Sequence, residues 1–151
     1  MHGRVHAHPP GSEDRMNAAA LAQEELLNSI PFCRWMGIRV LQDDDGVILE
    51  LPFAQKLIGN PLLPALHGGV IGALLETAAL AQVVHELACA ELPKPVDMAI
   101  DYLRSGRALA SYARARIVKR GRRTVNVHAQ MWQEDEARPI AALRGHVLLQ
   151  R

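Results

Sequence analysis

The chain has 151 residues, 49% of them hydrophobic, and a formal net charge of +1 at pH 7. This length and apolar content predict one domain with its own hydrophobic core. The near-neutral charge and the 4% aromatic content tell against the broad basic, aromatic-rich surface of a nucleic-acid binder, and they give no reason to expect a membrane-surface protein.

Residues 1–16 are predicted to form a disordered tail, and residues 17–151 a single domain. The tail contains His2, His6 and His8 but no apolar run, so it lacks the pattern of a secretory leader. Histidines on a flexible segment offer a metal ion no fixed geometry, so we expect no metal site.

The two cysteines, Cys33 and Cys89, lie far apart in the sequence and form no CxxC motif. This spacing is typical of reduced, buried thiols rather than of a disulfide framework. We therefore expect a cytoplasmic protein.

The first predicted element is a helix. Leu21, Leu26 and Leu27 recur at helical spacing after Asn17, which is a plausible N-cap, and Pro31 follows them. The pattern predicts one short helix that begins at Asn17 and ends near Pro31.

A hairpin is predicted next. The dipeptide Asp45-Gly46 separates two short runs with β-strand character, and Asp-Gly is a strong signal for a tight turn between strands. In the second run, alternation places Val47, Leu49 and Leu51 on one face of the strand.

The segment HGGVIGALLETAALAQVVHEL then predicts a helix from about Gly68 to Leu87. Its apolar residues leave no polar stripe, so the helix is expected to be buried. A membrane span would need about 18 apolar residues without charge, whereas this segment contains Glu76 and Glu86.

Four β-like runs complete the chain: KPVDMAIDYLRS, LASYARARIVKR, RTVNVHAQMWQE and RPIAALRGHVLLQ. In the third run one face is apolar, with Val125, Val127, Ala129 and Met131, and the other is more polar, with Thr124, Asn126, His128, Gln130 and Trp132. Such alternation is typical of an antiparallel sheet with one covered face. With only one apolar helix available to cover that face, we predict an α+β fold whose sheet wraps around the helix.

Glu76 stands out because an ionised carboxylate in apolar surroundings is costly unless it is paired. One interpretation is structural, with Glu76 paired to a basic residue, reaching solvent or forming part of a subunit contact. The other is that Glu76 lines a pocket, where desolvation raises its pKa and suits it to act as a general base or nucleophile.

The residues at the start of this helix suggest a site for a carbonyl oxygen. His67 occupies an N-cap position, and Gly68 and Gly69 would present backbone N–H groups at the positive end of the helix. Paired glycines can equally serve tight helix packing. Glu76 follows two and a half turns later, so it borders the same cavity only if the substrate lies along the helix or another chain closes it.

The segment KRGRR carries four cations around a glycine, namely Lys119, Arg120, Arg122 and Arg123 around Gly121. Charges at a hairpin tip are often simply solvated. The same five residues could also bind phosphate oxygens, since arginine does so with paired hydrogen bonds.

Taken together, these motifs resemble a known family. HGGVIGALLE with an acidic residue nine positions after the histidine, Asn60 in a GNP loop, the YLR strand and the RGRR turn occur in the order and spacing of the hotdog-fold acyl-CoA thioesterases of the phenylacetate-type (PaaI-like) branch. The similarity extends from about Pro31 to Leu149.

The resemblance implies a hotdog fold, in which six antiparallel strands wrap a central helix, and a homo-oligomer, a dimer or a dimer of dimers, with active sites between protomers. It implies that the Gly68 N–H polarises the thioester carbonyl and that Glu76, often Asp in the family, is the general base or nucleophile. His67 would support the loop, and Asn60 would position water or the carboxylate.

The resemblance also implies that Gly69 and the KRGRR turn contact the acyl-CoA substrate, with CoA as part of that substrate and no separate cofactor. Two alternative functions remain open. One is a non-catalytic acyl-CoA binding module, which would not depend on Glu76. The other is a dehydratase or hydratase of the same fold, although its usual Asp-x-x-x-x-His pattern is absent from the segment around the central helix.

Overall fold

The computed structural model describes residues 13–150, with side chains from Ala20 onward. Two helices begin the chain, α1 (Glu13–Asn28) and α2 (Pro31–Met36). The hairpin β1 (Arg39–Asp43) and β2 (Gly46–Leu51) follows. The remaining elements are a two-stranded ribbon, a long helix and four strands: β3 (Ile58–Asn60), β4 (Ala65–Leu66), α3 (Gly68–Leu87), β5 (Lys94–Tyr102), β6 (Ser111–Arg120), β7 (Thr124–Trp132) and β8 (Ala141–Leu148).

Six strands form one antiparallel sheet in the order β1-β2-β6-β7-β8-β5. Helix α3 packs against five of them, β2, β5, β6, β7 and β8. Its buried face includes Leu74, Leu75 and Val83, which are fully enclosed. The predicted α+β hotdog architecture, a six-stranded sheet around a central helix, is confirmed.

The alternation predicted for two strands is confirmed by burial. Val47, Leu49 and Leu51 are buried in β2, as is the predicted apolar face of β7. Trp132 is the exception, since it was expected on the polar face but is buried. It lies directly opposite Tyr112 on β6, and their rings stack with centroids 6.0 Å apart.

The N-terminal predictions need correction. Helix α1 begins at Glu13, before Asn17, so residues 13–16 are helical and only residues 1–12 of the predicted tail lie outside the described residues. Acidic residue types are favoured in the first turn of a helix, a preference that the expectation based on Asn17 left out of account. Pro31 also begins a helix, α2, rather than merely following one, since proline is well tolerated in a first turn.

The hairpin forms one residue earlier than predicted. Asp43 pairs with Gly46, so the two loop residues are Asp44 and Asp45. Gly46 has a φ of +121°, and a Cβ atom there would lie 2.6 Å from Oε1 of Gln82. That buried oxygen accepts the Val47 N–H at 3.0 Å, so the glycine lets the hairpin bind directly to α3.

Helix α3 has the length and mean hydropathy, 1.4 over its most apolar window, of a membrane span. However, 61% of that window is buried inside the domain. This is what a core helix shows, and the sheet wrapped around α3 explains its apolar sequence.

The two edges of the sheet differ in how they are covered. Beside β1, the Oε2 atom of Glu24 on α1 accepts the Val40 N–H at 2.8 Å. Along β5 every residue is at least partly exposed, and its outer edge pairs with no described strand. An open strand edge of nine residues presents backbone N–H and C=O groups that can pair with a strand of another chain.

Candidate active site

The first turn of α3 is held by His67, as predicted for an N-cap. Its Nδ1 accepts the Gly69 N–H at 2.9 Å, and its carbonyl oxygen accepts the N–H groups of Val70 and Ile71 at 3.0 and 3.2 Å. The N–H of Gly69, which we expected to be available to a ligand, is therefore engaged. The Gly68 N–H has no acceptor among the described residues, so it is the donor left for a ligand.

The loop that leads into α3 packs closely on this cap. The His67 N–H donates to the Leu57 carbonyl at 2.9 Å, and a Cβ atom at Gly59 would lie 2.7 Å from the Cα of His67. Asn60, in the same ribbon, is exposed, and its Oδ1 accepts the Leu62 N–H at 3.0 Å. The side-chain oxygen of Asn60 is therefore engaged within its own loop. The side-chain NH2 group of Asn60 is left for any contact with water or substrate.

An open cleft of about 530 Å³ lies beside Gly68. Its wall is mixed, with backbone and apolar atoms from three segments: Ala65, Leu66, Gly68, Ile71, Tyr102, Leu103, Arg104, Ser105 and Gly106. Arg104 and Ser105 also border a second cleft of about 290 Å³, where Arg107 and Arg138 add positive charge and Glu134 and Asp135 negative charge.

Glu76 lies on the one stripe of the N-terminal half of α3 that is not buried. Gly69, Gly72, Ala73 and Glu76 form this stripe at positions i, i+3, i+4 and i+7 of the helix. The carboxylate of Glu76 forms no hydrogen bond or ion pair with a described residue. Burial raises its pKa above the ordinary value of 4.5.

A thiol lies close to this carboxylate. Cys33 on α2 is buried, and its Sγ is 3.9 Å from Oγ1 of Thr77, the neighbour of Glu76. Burial raises the pKa of the Cys33 thiol, and the charge of Glu76 raises it further, although the Thr77 hydroxyl lowers it. Cys33 is therefore a neutral, buried thiol beneath Thr77 and not a nucleophile at neutral pH.

The predicted basic turn lies at the far end of the sheet from the start of α3. The last residue of β5, Tyr102, is opposite Ala141, and Ala141 is opposite Met131, whereas the turn follows Arg120 at the other end of β6. Since β6 has ten residues, the two ends are about 30 Å apart. One chain therefore does not bring the turn and Gly68 together.

Gly121 closes this turn tightly. Its N–H donates to the Thr124 carbonyl at 2.8 Å, and a Cβ atom would lie 2.8 Å from that oxygen. The side chains around it are exposed and form no salt bridge with a described residue: Lys119, Arg120, Arg122 and Arg123. Their charge is available to an anion.

The other histidines of the sheet lie away from the site. His146 contacts Asp97 at 3.0 Å through Nδ1 and Asn126 at 3.1 Å through Nε2, and His128 contacts Arg116 at 3.4 Å. These two histidines and their three partners lie on the face of the sheet opposite α3. Among residues 13–150, no group of three or more His, Cys, Asp or Glu side chains is arranged to hold a metal ion.

Tyr102 and Arg104 line the larger cleft but were not predicted as site residues. Only the YLR motif could have indicated them as site residues, because it places consecutive large side chains at the end of a strand. Nothing in that pattern shows which loop the strand end will meet, because the contact with Gly68 spans 34 positions of the chain.

Replacing Glu76 by Gln is expected to stabilise the protein at pH 7. The pKa of Glu76 is higher in the folded state, so ionisation costs the folded state free energy at every pH above that raised value. The gain should shrink as the pH falls through the raised pKa and vanish below 4.5, where the carboxyl group is neutral in both states.

Thermal or urea unfolding of the native protein and Glu76→Gln at pH 7 and pH 4 measures this difference. Glu91→Gln, which removes an exposed carboxylate, is the matched control and should change little. A loss of stability at pH 7 in Glu76→Gln would instead support the structural interpretation, in which the carboxylate has a stabilising partner.

Known proteins share both the sequence pattern and the fold. Residues 63–140, just over half of the chain, match the family model described as thioesterase superfamily. A Chromobacterium violaceum protein of known structure is 35% identical, with 93% of this chain and 98% of that chain covered and a TM-score of 0.68.

A further solved structure, from the thioesterase superfamily, is 26% identical over 87% of this chain and 98% of its own, with a TM-score of 0.79. A Bacillus halodurans protein crystallised with CoA is 22% identical over 98% and 99% of the two chains, has a TM-score of 0.73, and shares the fold. No curated protein matches at the sequence level. The chain belongs to the thioesterase superfamily, as its motifs predicted.

Proposed function

We propose that this protein hydrolyses acyl-CoA thioesters to the free acid and CoA. One observation supports the proposal above the others. Gly68, whose N–H has no acceptor among the described residues, lines a cleft, and the partly desolvated carboxylate of Glu76, which has no partner among the same residues, follows on the exposed stripe of α3. The CoA bound to the Bacillus halodurans protein supports CoA as the carrier of the acyl group.

The two groups suit the two demands of thioester hydrolysis. The Gly68 N–H, at the positive end of α3, donates to the carbonyl oxygen and stabilises the negative charge that develops there. Glu76 takes a proton from water, and the hydroxide adds to the carbonyl carbon. The carbon–sulfur bond then breaks, and the CoA thiolate leaves and is protonated.

Direct attack by Glu76 is the other route to the same products. The carboxylate oxygen would add to the carbonyl carbon, expel the CoA thiolate and leave an anhydride for water to cleave. In a single turnover in ¹⁸O-labelled water, the base mechanism puts the label into the acid product. The nucleophile mechanism puts label into Glu76 when water attacks the enzyme's own carbonyl.

The complete site is proposed to form between two copies of the chain. Gly68 and Glu76 are eight residues apart, about 12 Å along the helix, which is long for two groups acting on one carbonyl. The open edge of β5 offers the contact, because two such edges can pair antiparallel about a twofold axis. Apolar side chains near this edge and the ribbon are strongly exposed in one chain, including Leu62 (93%), Leu63 (65%) and Val96 (59%).

Antiparallel pairing of two β5 strands also explains where the basic turn would act. It places the Lys94 end of one strand beside the Tyr102 end of the other. The end of the sheet that carries the KRGRR turn in one subunit then lies beside the end that carries Gly68 in the other. CoA phosphates would bind the turn of one subunit while the thioester lies at Gly68 of its partner.

Removing either catalytic group should abolish most activity while the fold is retained. Glu76→Gln is expected to lower kcat by about a hundredfold or more. Gly68→Pro removes the N–H and puts a ring carbon in its place, with little strain on the backbone: proline is tolerated at the first helical position, and His67, at φ −62° and ψ 130°, has the conformation favoured before proline. We expect a loss of about a hundredfold to a thousandfold in kcat.

The measurement is thiol release from aliphatic and aryl acyl-CoAs, phenylacetyl-CoA among them. Gly68→Ala is the matched control, since it keeps the N–H and its Cβ would lie 3.6 Å from Tyr102, an ordinary contact. Full activity in Gly68→Pro would refute the donor role. Absence of cleavage by the native protein, with CoA still protecting it against heat, would favour the binding module.

Mixing the two inactive variants should restore activity if each site uses both subunits. In a mixed dimer of Glu76→Gln and Gly68→Pro, one site receives Gly68 from the first subunit and Glu76 from the second. With random exchange about half of the dimers are mixed and each has one intact site, so about a quarter of the native activity should return. Light scattering reports the dimer, and no recovery in a mixed dimer would place both groups in one subunit.

Substitution of Arg122 and Arg123 by alanine should weaken the binding of CoA without changing the chemical step. We expect KM for an acyl-CoA to rise about tenfold, since an ion pair at an exposed site contributes about 0.2–1 kcal/mol and two are lost, while kcat stays the same. The same acyl group on pantetheine, which lacks the nucleotide, is the control substrate and should be cleaved equally by both proteins. An unchanged KM for acyl-CoA would contradict phosphate binding at the turn.

A further inference from the structure

The side chain of Tyr102 crosses from the end of β5 to the first turn of α3. Its hydroxyl donates to the carbonyl oxygen of Gly68 at 2.9 Å. The residue is 56% exposed and lines the same cleft as Gly68. A tyrosine that binds backbone at the wall of an open cleft is in a position to influence what the cleft recognises.

The hydrogen bond from Tyr102 acts on a peptide unit that is held a second time. The Gly68 carbonyl and the Gly69 N–H belong to one peptide group, and that N–H donates to Nδ1 of His67 at 2.9 Å. Two successive glycines would otherwise allow wide rotation about φ and ψ. With its oxygen held by a phenol and its N–H by an imidazole, this peptide plane has little freedom to rotate.

Tyr102 is itself fixed by its surroundings. It pairs with Ala141 at the end of β5, and the next two N–H groups, of Leu103 and Arg104, donate to the Ile140 carbonyl at 2.8 and 3.0 Å. The glycine at position 72 leaves room for the strand, because a Cβ there would lie 2.9 Å from Cδ1 of Ile100 and 3.7 Å from the Tyr102 hydroxyl.

We propose that Tyr102 is a positioning residue for the carbonyl-binding N–H of Gly68, through its hydrogen bond to the Gly68 oxygen. The Gly68 N–H belongs to the preceding peptide, whose carbonyl accepts the N–H groups of Val70 and Ile71. Holding the Gly68–Gly69 peptide restricts φ and ψ of Gly68 from the other side and so limits movement of that N–H. A donor aligned in advance stabilises the transition state without reorganisation during the reaction. This inference rests on the proposed function of Gly68.

The simpler role for Tyr102 would be a link that only joins β5 to α3. Loss of such a link would lower stability but would affect ligands with and without a carbonyl group alike. Loss of a positioning residue should selectively weaken the interaction with a carbonyl oxygen. The two roles therefore make different predictions for a pair of ligands of which only one carries the carbonyl group.

Tyr102→Phe removes the hydroxyl and keeps the ring. We expect kcat/KM to fall about five- to tenfold, the equivalent of one hydrogen bond of about 1 kcal/mol or slightly more. Tyr112→Phe is the matched control. Tyr112 is the other tyrosine of the chain, and its ring stacks on Trp132 of β7. The control should leave kcat/KM at the native value.

Binding of two non-hydrolysable analogues tests the same point without turnover. Phenylacetyl-dethia-CoA keeps the carbonyl and has a methylene in place of sulfur, whereas phenethyl-CoA is a thioether without a carbonyl. Tyr102→Phe should bind the ketone about five- to tenfold more weakly than the native protein does and the thioether equally well. The infrared carbonyl frequency of the bound ketone should also move toward its value in water.

Equal effects on the two analogues, or no effect on either, would overturn the positioning role. A native protein that binds the ketone no better than the thioether would show instead that the Gly68 N–H does not bind the carbonyl, and then the proposed function and this inference fail together. A native protein that prefers the ketone but cleaves no thioester leaves the Tyr102 comparison intact and removes only the catalytic role of Glu76.

Discussion

The structure depends on the burial of α3 in the concave face of the sheet. Each fully buried Leu or Val side chain contributes about 1.5–3 kcal/mol, and the helix encloses several of them, including Leu74, Leu75 and Val83. This packing determines where the neighbouring strands and loops lie relative to α3. It places the first turn of α3 against the end of β5, ties the β1–β2 hairpin to the helix through Gln82, and leaves one stripe of small residues uncovered.

The uncovered stripe has a chemical consequence. Gly69 and Ala73 present little side chain, so a ligand or a second chain can approach the helix backbone closely there, whereas Gly72 is approached by Ile100 of β5. At the end of the stripe stands Glu76, partly desolvated and without a partner in the described part of the chain. A carboxylate in that position stabilises nothing by itself, and natural proteins commonly keep such costs where chemistry requires them. In the proposed function, stability and reactivity are opposed at this residue.

The order of the strands decides how much of a site one chain can hold. Because β5 is an open edge beside the start of α3, and the basic turn lies at the opposite end of the sheet, a single chain separates Gly68 from the cations of the turn. Antiparallel pairing of two β5 edges reverses one sheet relative to the other and would bring the two ends together. The architecture thus favours an active site built by two copies.

The sequence by itself determined the elements whose pattern is local. Period-two alternation identified the buried faces of β2 and β7, the apolar run identified α3 and hence a sheet wrapped around it, and HGG identified His67 as its cap. Each of these features depends on neighbours within a few residues. The early start of α1, the helix at Pro31 and the hairpin shift by one residue escaped prediction because terminal carboxylates and turn residues support more than one local structure.

Only the tertiary structure decided which polar groups remain free. The sequence could not show that His67 engages Gly69 and leaves Gly68 available, since both glycines look alike in the motif. It could not show that Tyr102 would reach the Gly68 carbonyl, a contact across 34 residues, or that Trp132 would be buried under Tyr112. Hydrogen bonds between distant segments depend on how strands are ordered in the sheet, and that order follows from packing of the whole chain rather than from any local pattern.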